Sequence, residues 1–281
     1  MTLPKSRRSP LRYPGGKTRA VKMLLPRIPK DITEYREPFL GGGSMAIAMT
    51  RQHPDLPIWV NDSYENLATF WQVLQTDAQD LSDALLGAKA KATVTNTGRD
   101  LFFRCKAEIN AQSDRLERAK MFYILNKCSF SGLGESSGYS EMAFGSNFSV
   151  KNIESLPAFG EHIKNWKITC LDFQELINDD PKTAIYLDPP YYKVGKNGGS
   201  FLYGKDGSQH KGFDHILLAE TLDHSRSSIL LSYDNNDEIR ERYLGWSQES
   251  FDLTYTMHSG KSYREQEAAR KELVLSNYIE E

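Results

Sequence analysis

Residues 35–62 read YREPFLGGGSMAIAMTRQHPDLPIWVND, and the order of residue types in this stretch sets the fold class. Tyr35–Phe39 reads as a short strand running into the glycine loop Gly41-Gly42-Gly43. Ser44 starts a helix, its hydroxyl placed to cap free amides. Ile58, Trp59 and Val60 form the next strand, which ends at Asn61-Asp62. Strand, glycine turn, helix, strand is the building unit of an open α/β sheet. Ligands of such sheets gather beyond the carboxyl ends of the strands. A glycine loop lets backbone approach a ligand closely. Asp62 comes 19 residues after Gly43, where an acidic residue ending the next strand accepts hydrogen bonds from ribose hydroxyls. Gly41, Gly43 and Ala46 fit the GxGxxG spacing only in part, so the loop alone reads either as an adenosine-type cofactor site or as a structural turn.

Working outward, Pro14-Gly15-Gly16 forms an earlier glycine loop, with a helix after it to about Leu25. Gly15-Gly16-Lys17-Thr18 looks like the end of a phosphate-binding loop, but Leu11 stands where that motif needs a glycine. Downstream, segments 67–92, 99–112 and 114–127 carry apolar residues at helical spacing. Ser129–Phe148, rich in serine and glycine, reads as a loop or irregular hairpin. Strands then return. Ile168–Leu171 ends at Asp172, Ala184–Leu187 ends at Asp188, and Ile229–Ser232 is a third. Helices fall at His215–His224 and, after a capping box Asn235…Glu238, at Glu238–Tyr243. Phe251–Met257 and Leu273–Tyr278 alternate as an antiparallel pair. The expected architecture is α/β: a doubly wound Rossmann-like sheet built from residues 1–66 and 151–281, with an antiparallel C-terminal hairpin. A mostly helical insert over 67–150 interrupts it.

The bulk properties narrow the classes. Among 281 residues, Cys105, Cys128 and Cys170 are too scattered for a metal motif or a disulfide framework, and no HExxH is present, so no metal is expected. No apolar run approaches the roughly 20 residues of a membrane helix, and the basic N-terminus lacks the apolar segment of a secretory signal. A cytoplasmic protein is expected. A net charge of −2 weighs against nucleic-acid binding by the whole surface, but local clusters remain in Lys5–Arg8, Arg12, Lys17 and Arg19, and in Lys193–Lys211.

The sharpest motif is Asp188-Pro189-Pro190-Tyr191, directly after the apolar run Ala184–Leu187. Two prolines donate no N–H and stiffen the turn past a strand. The Asp188 carboxylate and the Pro189 carbonyl can then face one point, with the Tyr191 ring beside it. A planar amine with two N–H donors fits that arrangement. The bland alternative is a proline-rich strand exit with a buried tyrosine.

In order along the chain, these motifs resemble the Dam-type DNA adenine methyltransferases. Arg12–Lys17 is similar to the family's aromatic-Pro-Gly-Gly-Lys start, and Glu37–Ser44 to its EPFxGGGS cofactor loop. Asn61-Asp62 is similar to the ND ending its second strand, Leu171-Asp172-Phe173 to its adenine-holding segment, and Asp188–Tyr191 to its DPPY. Tyr192, Tyr203 and Asp214-His215 resemble the family's pattern downstream of DPPY. Ser232-Tyr233 and Glu272–Asn277 resemble the closing strands. Placed between these motifs, the insert corresponds to a target-recognition domain. Its stretch Phe130–Ser140 departs from GATC-reading members: it holds Glu135 and no arginine, so the resemblance does not carry GATC specificity to this chain.

The resemblance implies S-adenosylmethionine as cofactor, double-stranded DNA as partner, and direct methyl transfer to N6 of a flipped-out adenine. It places Asp188, Pro189, Pro190 and Tyr191 at the reaction. It places Tyr13, Lys17, Glu37, Pro38, Phe39, Gly41, Gly43, Asp62, Asp172, Phe173 and Asp188 around the cofactor. Lys17 meets either the methionine carboxylate or a DNA phosphate. Arg12, Lys127, Ser129, Ser131, Tyr139 and Tyr203 are the expected DNA contacts. Lys193–Gly212 reads as a disordered surface loop or as a flap over both ligands. A monomer in a bacterium, or of a virus in a bacterial host, is the default, and a cognate restriction endonuclease is left open. The competing readings are methylation of cytosine N4, RNA adenine or a glutamine amide, and a DNA-binding protein without catalysis.

Overall fold

The computed structural model describes residues 9–13, 17, 20–192, 213–252 and 271–279. Outside them fall Pro14-Gly15-Gly16, the Lys193–Gly212 loop with Tyr203, and residues 253–257 of the expected hairpin.

Seven strands form one sheet: β1 Glu34–Glu37, β2 Ile58–Asn61, β3 Trp166–Thr169, β4 Thr183–Leu187, β5 Ser228–Asp234, β6 Ser247–Asp252 and β7 Lys271–Ser276. Their order is β3-β2-β1-β4-β5-β7-β6. The first five run parallel, and β7 is antiparallel to both β5 and β6. β4 is buried along its whole length, as expected of a central strand covered on both faces.

Helices cover the two faces unequally. Four lie close to the sheet connections: α1 Val21–Leu24 and α2 Ser44–Gln52 early, α10 His215–Asp223 and α11 Asp237–Arg242 late. The long block between β2 and β3 holds α3 Glu65–Thr76, α4 Ala78–Val94, α5 Gly98–Glu108, α6 Arg115–Cys128, α7 Glu141–Ser146, α8 Val150–Ile153 and α9 Leu156–His162. Phe70, Trp71, Leu85, Phe102, Tyr123 and Phe159 of this block share one apolar core with Tyr35, Val60, Ala184 and Tyr186 of the sheet. On the other face Ile185, Leu187, Ile229 and Leu231 pack with Leu218 and Leu222 of α10 and Ile239 of α11.

Several boundaries differ from the expected ones for identifiable reasons. Strand β1 stops at Glu37, because Pro38 has no N–H to continue the ladder. Strand β3 stops at Thr169, where the Asn61 side chain takes over both the N–H (2.8 Å) and the carbonyl (3.0 Å) of Leu171. The segment 67–92 is two helices, separated at Asp77, whose φ of −132° leaves the helical region. Gly43, not Ser44, occupies the cap of α2, in left-handed backbone. Asn236 rather than Asn235 caps α11, accepting the Ile239 N–H at 2.9 Å. The expected loop 129–148 contains α7, capped by the Ser140 hydroxyl on the Ala143 N–H.

Helix α9 comes close enough to the α3–α4 junction that a methyl at Gly160 would lie 2.5 Å from the Leu74 carbonyl oxygen and 2.7 Å from Ala78 Cβ. Gly87, inside α4, has open space at the same position. Gly160→Ala is therefore expected to destabilise the protein by about 1–3 kcal/mol, and Gly87→Ala to stabilise it by roughly 0.5–1 kcal/mol. Paired thermal melts check both signs, and a Gly160→Ala protein as stable as the wild type would contradict the close approach.

Candidate active site

Parallel strands bring their carboxyl ends to one edge of the sheet, so the segments after β1, β2, β3 and β4 meet there. They deliver Pro38–Gly43, Asp62, Asp172-Phe173 and Asp188. Because β7 runs the other way, it contributes the start of its strand to the same edge: Glu272 lies opposite Asp234 at the end of β5.

One half of the edge is organised by the glycine loop. Gly41 and Gly43 have φ of 49° and 65°, a region that costs other residues steric energy. A Cβ at Gly41 or Gly42 would stand 2.7 or 2.8 Å from atoms of Tyr13, and one at Gly43 would stand 2.9 Å from the Trp71 ring. The Trp71 indole donates to the Gly41 carbonyl at 3.1 Å. Asp62 accepts the backbone N–H of Gly41 at 2.9 Å and of Tyr64 at 3.0 Å. Burial pushes its carboxyl up to about 6, against the pull of those two N–H groups. Each of its oxygens keeps a second lone pair. Asn61 closes the arrangement, its amide donating to the Pro38 carbonyl at 3.2 Å.

Beside this loop stands an aromatic wall. Phe39 and Phe173 stack with centroids 5.7 Å apart, and Phe213 lies 5.6 and 5.8 Å from them. Asp172 is exposed and caps the turn that carries Phe173, accepting the Gln174 N–H at 3.0 Å. Glu37 points into the protein instead. It is buried and accepts the Tyr35 hydroxyl at 3.1 Å, and burial first, then the nearby Asp188 and Asp62 charges, holds its carboxyl well above the usual range.

The other half centres on Asp188. Lys17 Nζ lies 2.6 Å from Asp188 Oδ1, 2.6 Å from the Tyr191 hydroxyl and 3.1 Å from Glu272 Oε1. The Tyr191 hydroxyl in turn donates to Glu272 Oε1 at 2.6 Å. Burial raises the Asp188 carboxyl to about 6; Glu272 adds to the rise and Lys17 opposes it. Tyr191 also approaches Tyr233 (centroids 6.4 Å). The Tyr233 hydroxyl and His215 Nδ1 are hydrogen-bonded at 2.5 Å, and burial lowers the His215 pKa to about 4, so the ring is neutral at pH 7.

Of the residues expected at DNA, Arg12, Lys127, Ser129, Ser131 and Tyr139 lie around the end of α6 and the segment after it, and Tyr203 lies outside the described residues. Arg12 pairs its backbone N–H and carbonyl with the Asn126 amide at 3.0 and 2.7 Å, and its guanidinium donates to the Ser129 carbonyl at 3.0 Å. Ser131 sits in left-handed backbone at the turn, φ 55°. The Tyr139 hydroxyl donates to Glu141 at 2.8 Å. Lys127 and Ser129 are buried, and the Ser129 hydroxyl accepts the Gly134 N–H at 2.9 Å. Both therefore lie beneath the surface, Lys127 in the last turn of α6 and Ser129 just after it. Glu135 is buried too, receiving the Tyr64 hydroxyl and the amides of Asn66 (3.1 Å) and Asn110 (2.7 Å). Phe130 is 58% exposed at the tip.

Glu272, Phe213, Tyr233 and His215 join the edge although the motif reading assigned them no role there. The family resemblance names His215 downstream of DPPY and Tyr233 and Glu272 in the closing strands, without a task at the site, and Phe213 carries no signal. Among the described residues no three His, Cys, Asp or Glu are grouped as metal ligands, and no helix is long and apolar enough to cross a membrane.

Comparison with known proteins points to the same chemistry. The chain is 25% identical over 257 residues to the type II methyltransferase M.MjaIII of Methanocaldococcus jannaschii, covering 84% of this chain and 88% of that one. It is 24% identical to the type II methyltransferase M.CviBI of Paramecium bursaria Chlorella virus NC1A, over 95% of this chain and 98% of that one. A DNA adenine methylase of Salmonella typhi is 23% identical, with 85% of each chain covered. The family model of D12 class N6 adenine-specific DNA methyltransferases matches residues 13–258. A match running through both halves of the sheet edge and the helical block between them makes this chain a member of that family, and an enzyme that methylates adenine in DNA.

Proposed function

We propose that the enzyme takes the methyl group from S-adenosylmethionine and delivers it to N6 of an adenine flipped out of duplex DNA, with Asp188 as the acceptor that holds the amine. The observation that carries this reading is the position of the Asp188 carboxylate. It stands at the end of β4, partly exposed, and only Oδ1 is hydrogen-bonded among the described residues.

The residues present fit the cofactor. Asp62 offers an acceptor-only carboxylate at the strand end for ribose hydroxyls, and Phe39 with Phe173 offers a flat apolar surface for a purine. Tyr13 and the loop from Pro38 to Gly43 form the floor between them, and Asp172 caps the turn that carries Phe173. Glu37 supports this loop from inside. When bound, S-adenosylmethionine supplies an electrophilic methyl group on a sulfonium centre.

The amine of adenine is a poor nucleophile because its lone pair is delocalised into the ring. Donating one N–H to Asp188 and the other to the Pro189 carbonyl draws density back to nitrogen and fixes its direction. Pro189 and Pro190 keep the turn stiff, and the Tyr191 ring stacks on the flipped base, worth on the order of 1–3 kcal/mol. The helical block serves as the target-recognition part. Arg12, Ser131 and Tyr139 sit at the turn that approaches DNA, with Lys127 and Ser129 shaping it from within.

Asp188 is a strong, charge-assisted acceptor for the N–H only when ionised; the protonated carboxyl keeps just a neutral, weaker acceptor oxygen. With its carboxyl raised to about 6, kcat is expected to be complete well above pH 6 and to fall as pH drops through about 6. A rate profile that stays flat to pH 4.5 would sink the assignment. Asp188→Ala should abolish labelled N6-methyladenine in DNA nucleoside digests while leaving thermal stability in place. Asp62→Ala should weaken S-adenosylmethionine binding at least about tenfold, the loss expected for a hydrogen bond to a charged group. Calorimetry showing unchanged affinity would count against the ribose role.

A further inference from the structure

The catalytic edge holds a buried carboxylate, Glu272, that the methyl-transfer reading leaves without a task. Glu272 is 3% exposed and Lys17 4% exposed. One ammonium therefore serves two carboxylates, Asp188 at 2.6 Å and Glu272 at 3.1 Å, and the Tyr191 hydroxyl bridges from the ammonium to Glu272. Burying an extra charge is costly, and an amide or apolar residue of similar size often serves stability as well or better.

The arrangement matters when the substrate amine arrives. The Lys17 ammonium and the adenine amine are both donors, and both seek Asp188. A carboxylate engaged by an ammonium is a weaker acceptor for a neutral amine. If Asp188 were the only anion within reach, withdrawing the ammonium would leave a buried unpaired charge, so Lys17 would stay. Glu272 offers a second anionic partner less than one hydrogen-bond length farther away, with the Tyr191 hydroxyl held by both.

We propose that Glu272 is a positioning residue for methyl transfer: it receives the Lys17 ammonium when the adenine amine takes Asp188. The inference rests on Asp188 being the group that holds the amine. Strand order explains how such a residue reaches the site. Only an antiparallel strand beside β5 can bring its first residues to the edge where the parallel strands end.

The test uses the full-length enzyme and single-turnover methylation of DNA with saturating S-adenosylmethionine. Glu272→Gln is expected to lower the rate by about tenfold or more, with KM for DNA and for S-adenosylmethionine within about twofold of wild type. Glu272→Asp, which keeps the charge, recovers most of the loss. Because Glu272 acts through Lys17, the double variant Lys17→Met/Glu272→Gln is no slower than Lys17→Met alone. Three results would overturn the proposal: wild-type turnover in Glu272→Gln, equal loss in the Gln and Asp variants, or losses that multiply in the double variant. If Glu272→Gln does not fold, the double variant decides, since it buries neither charge. Folding with the rate of Lys17→Met supports the proposal, and failure to fold assigns Glu272 a purely structural task. Asp188→Ala runs alongside. Turnover there would overturn the Asp188 reading itself, whereas a dead Asp188→Ala beside a fully active Glu272→Gln overturns only the role of Glu272.

Discussion

Gly41, Gly42 and Gly43 lie against the Tyr13 ring and the Trp71 ring, and no side chain fits in the space left. This steric constraint organises much of the molecule. Tyr13 belongs to the N-terminal segment, which Arg12 ties to the turn after α6. Trp71 belongs to α3, the first long helix of the block, and its indole also holds the Gly41 carbonyl. Asp62 then fastens the loop from the strand side. One short run of backbone thus sets the distance between the sheet edge, the N-terminal segment and the helical block. A methyl group added there would press on all three.

The sheet edge shows what a sequence can reveal about a site. Asp62, Asp172 and Asp188 were legible because each ends an apolar run, and parallel strands place such residues together. The strand ends themselves were less legible. Pro38 stops β1 by chemistry visible in the sequence, but β3 ends where Asn61, more than a hundred positions earlier, captures Leu171. The same holds for Glu272. The family resemblance places it in a closing strand, but nothing local marks it as buried. Its burial comes from β7 inserting between β5 and β6, which is a property of the strand order. The break at Asp77 was hidden for the opposite reason, because apolar spacing continues across it and only the backbone turns.

The turn after α6 carries a similar lesson. Glu135, read in the sequence as a departure from arginine-bearing relatives, is not a surface group at all. Tyr64, Asn66 and Asn110 enclose it, and three donors to one carboxylate satisfy most of its acceptor capacity. Tyr64 also hands its backbone N–H to Asp62. The floor of the turn after α6 and the strand end at Asp62 are therefore joined through a single tyrosine.

The apolar core that Phe70, Trp71 and Tyr123 share with Tyr35, Val60 and Tyr186 has an evolutionary consequence. A helical module with its own core can be exchanged between enzymes as a cassette. Here the block supplies much of the packing on one face of the sheet, so its exchange would strip the catalytic part of its support. Sequence change is tolerated more readily on the exposed turn around Phe130, leaving the helices beneath as inherited foundation.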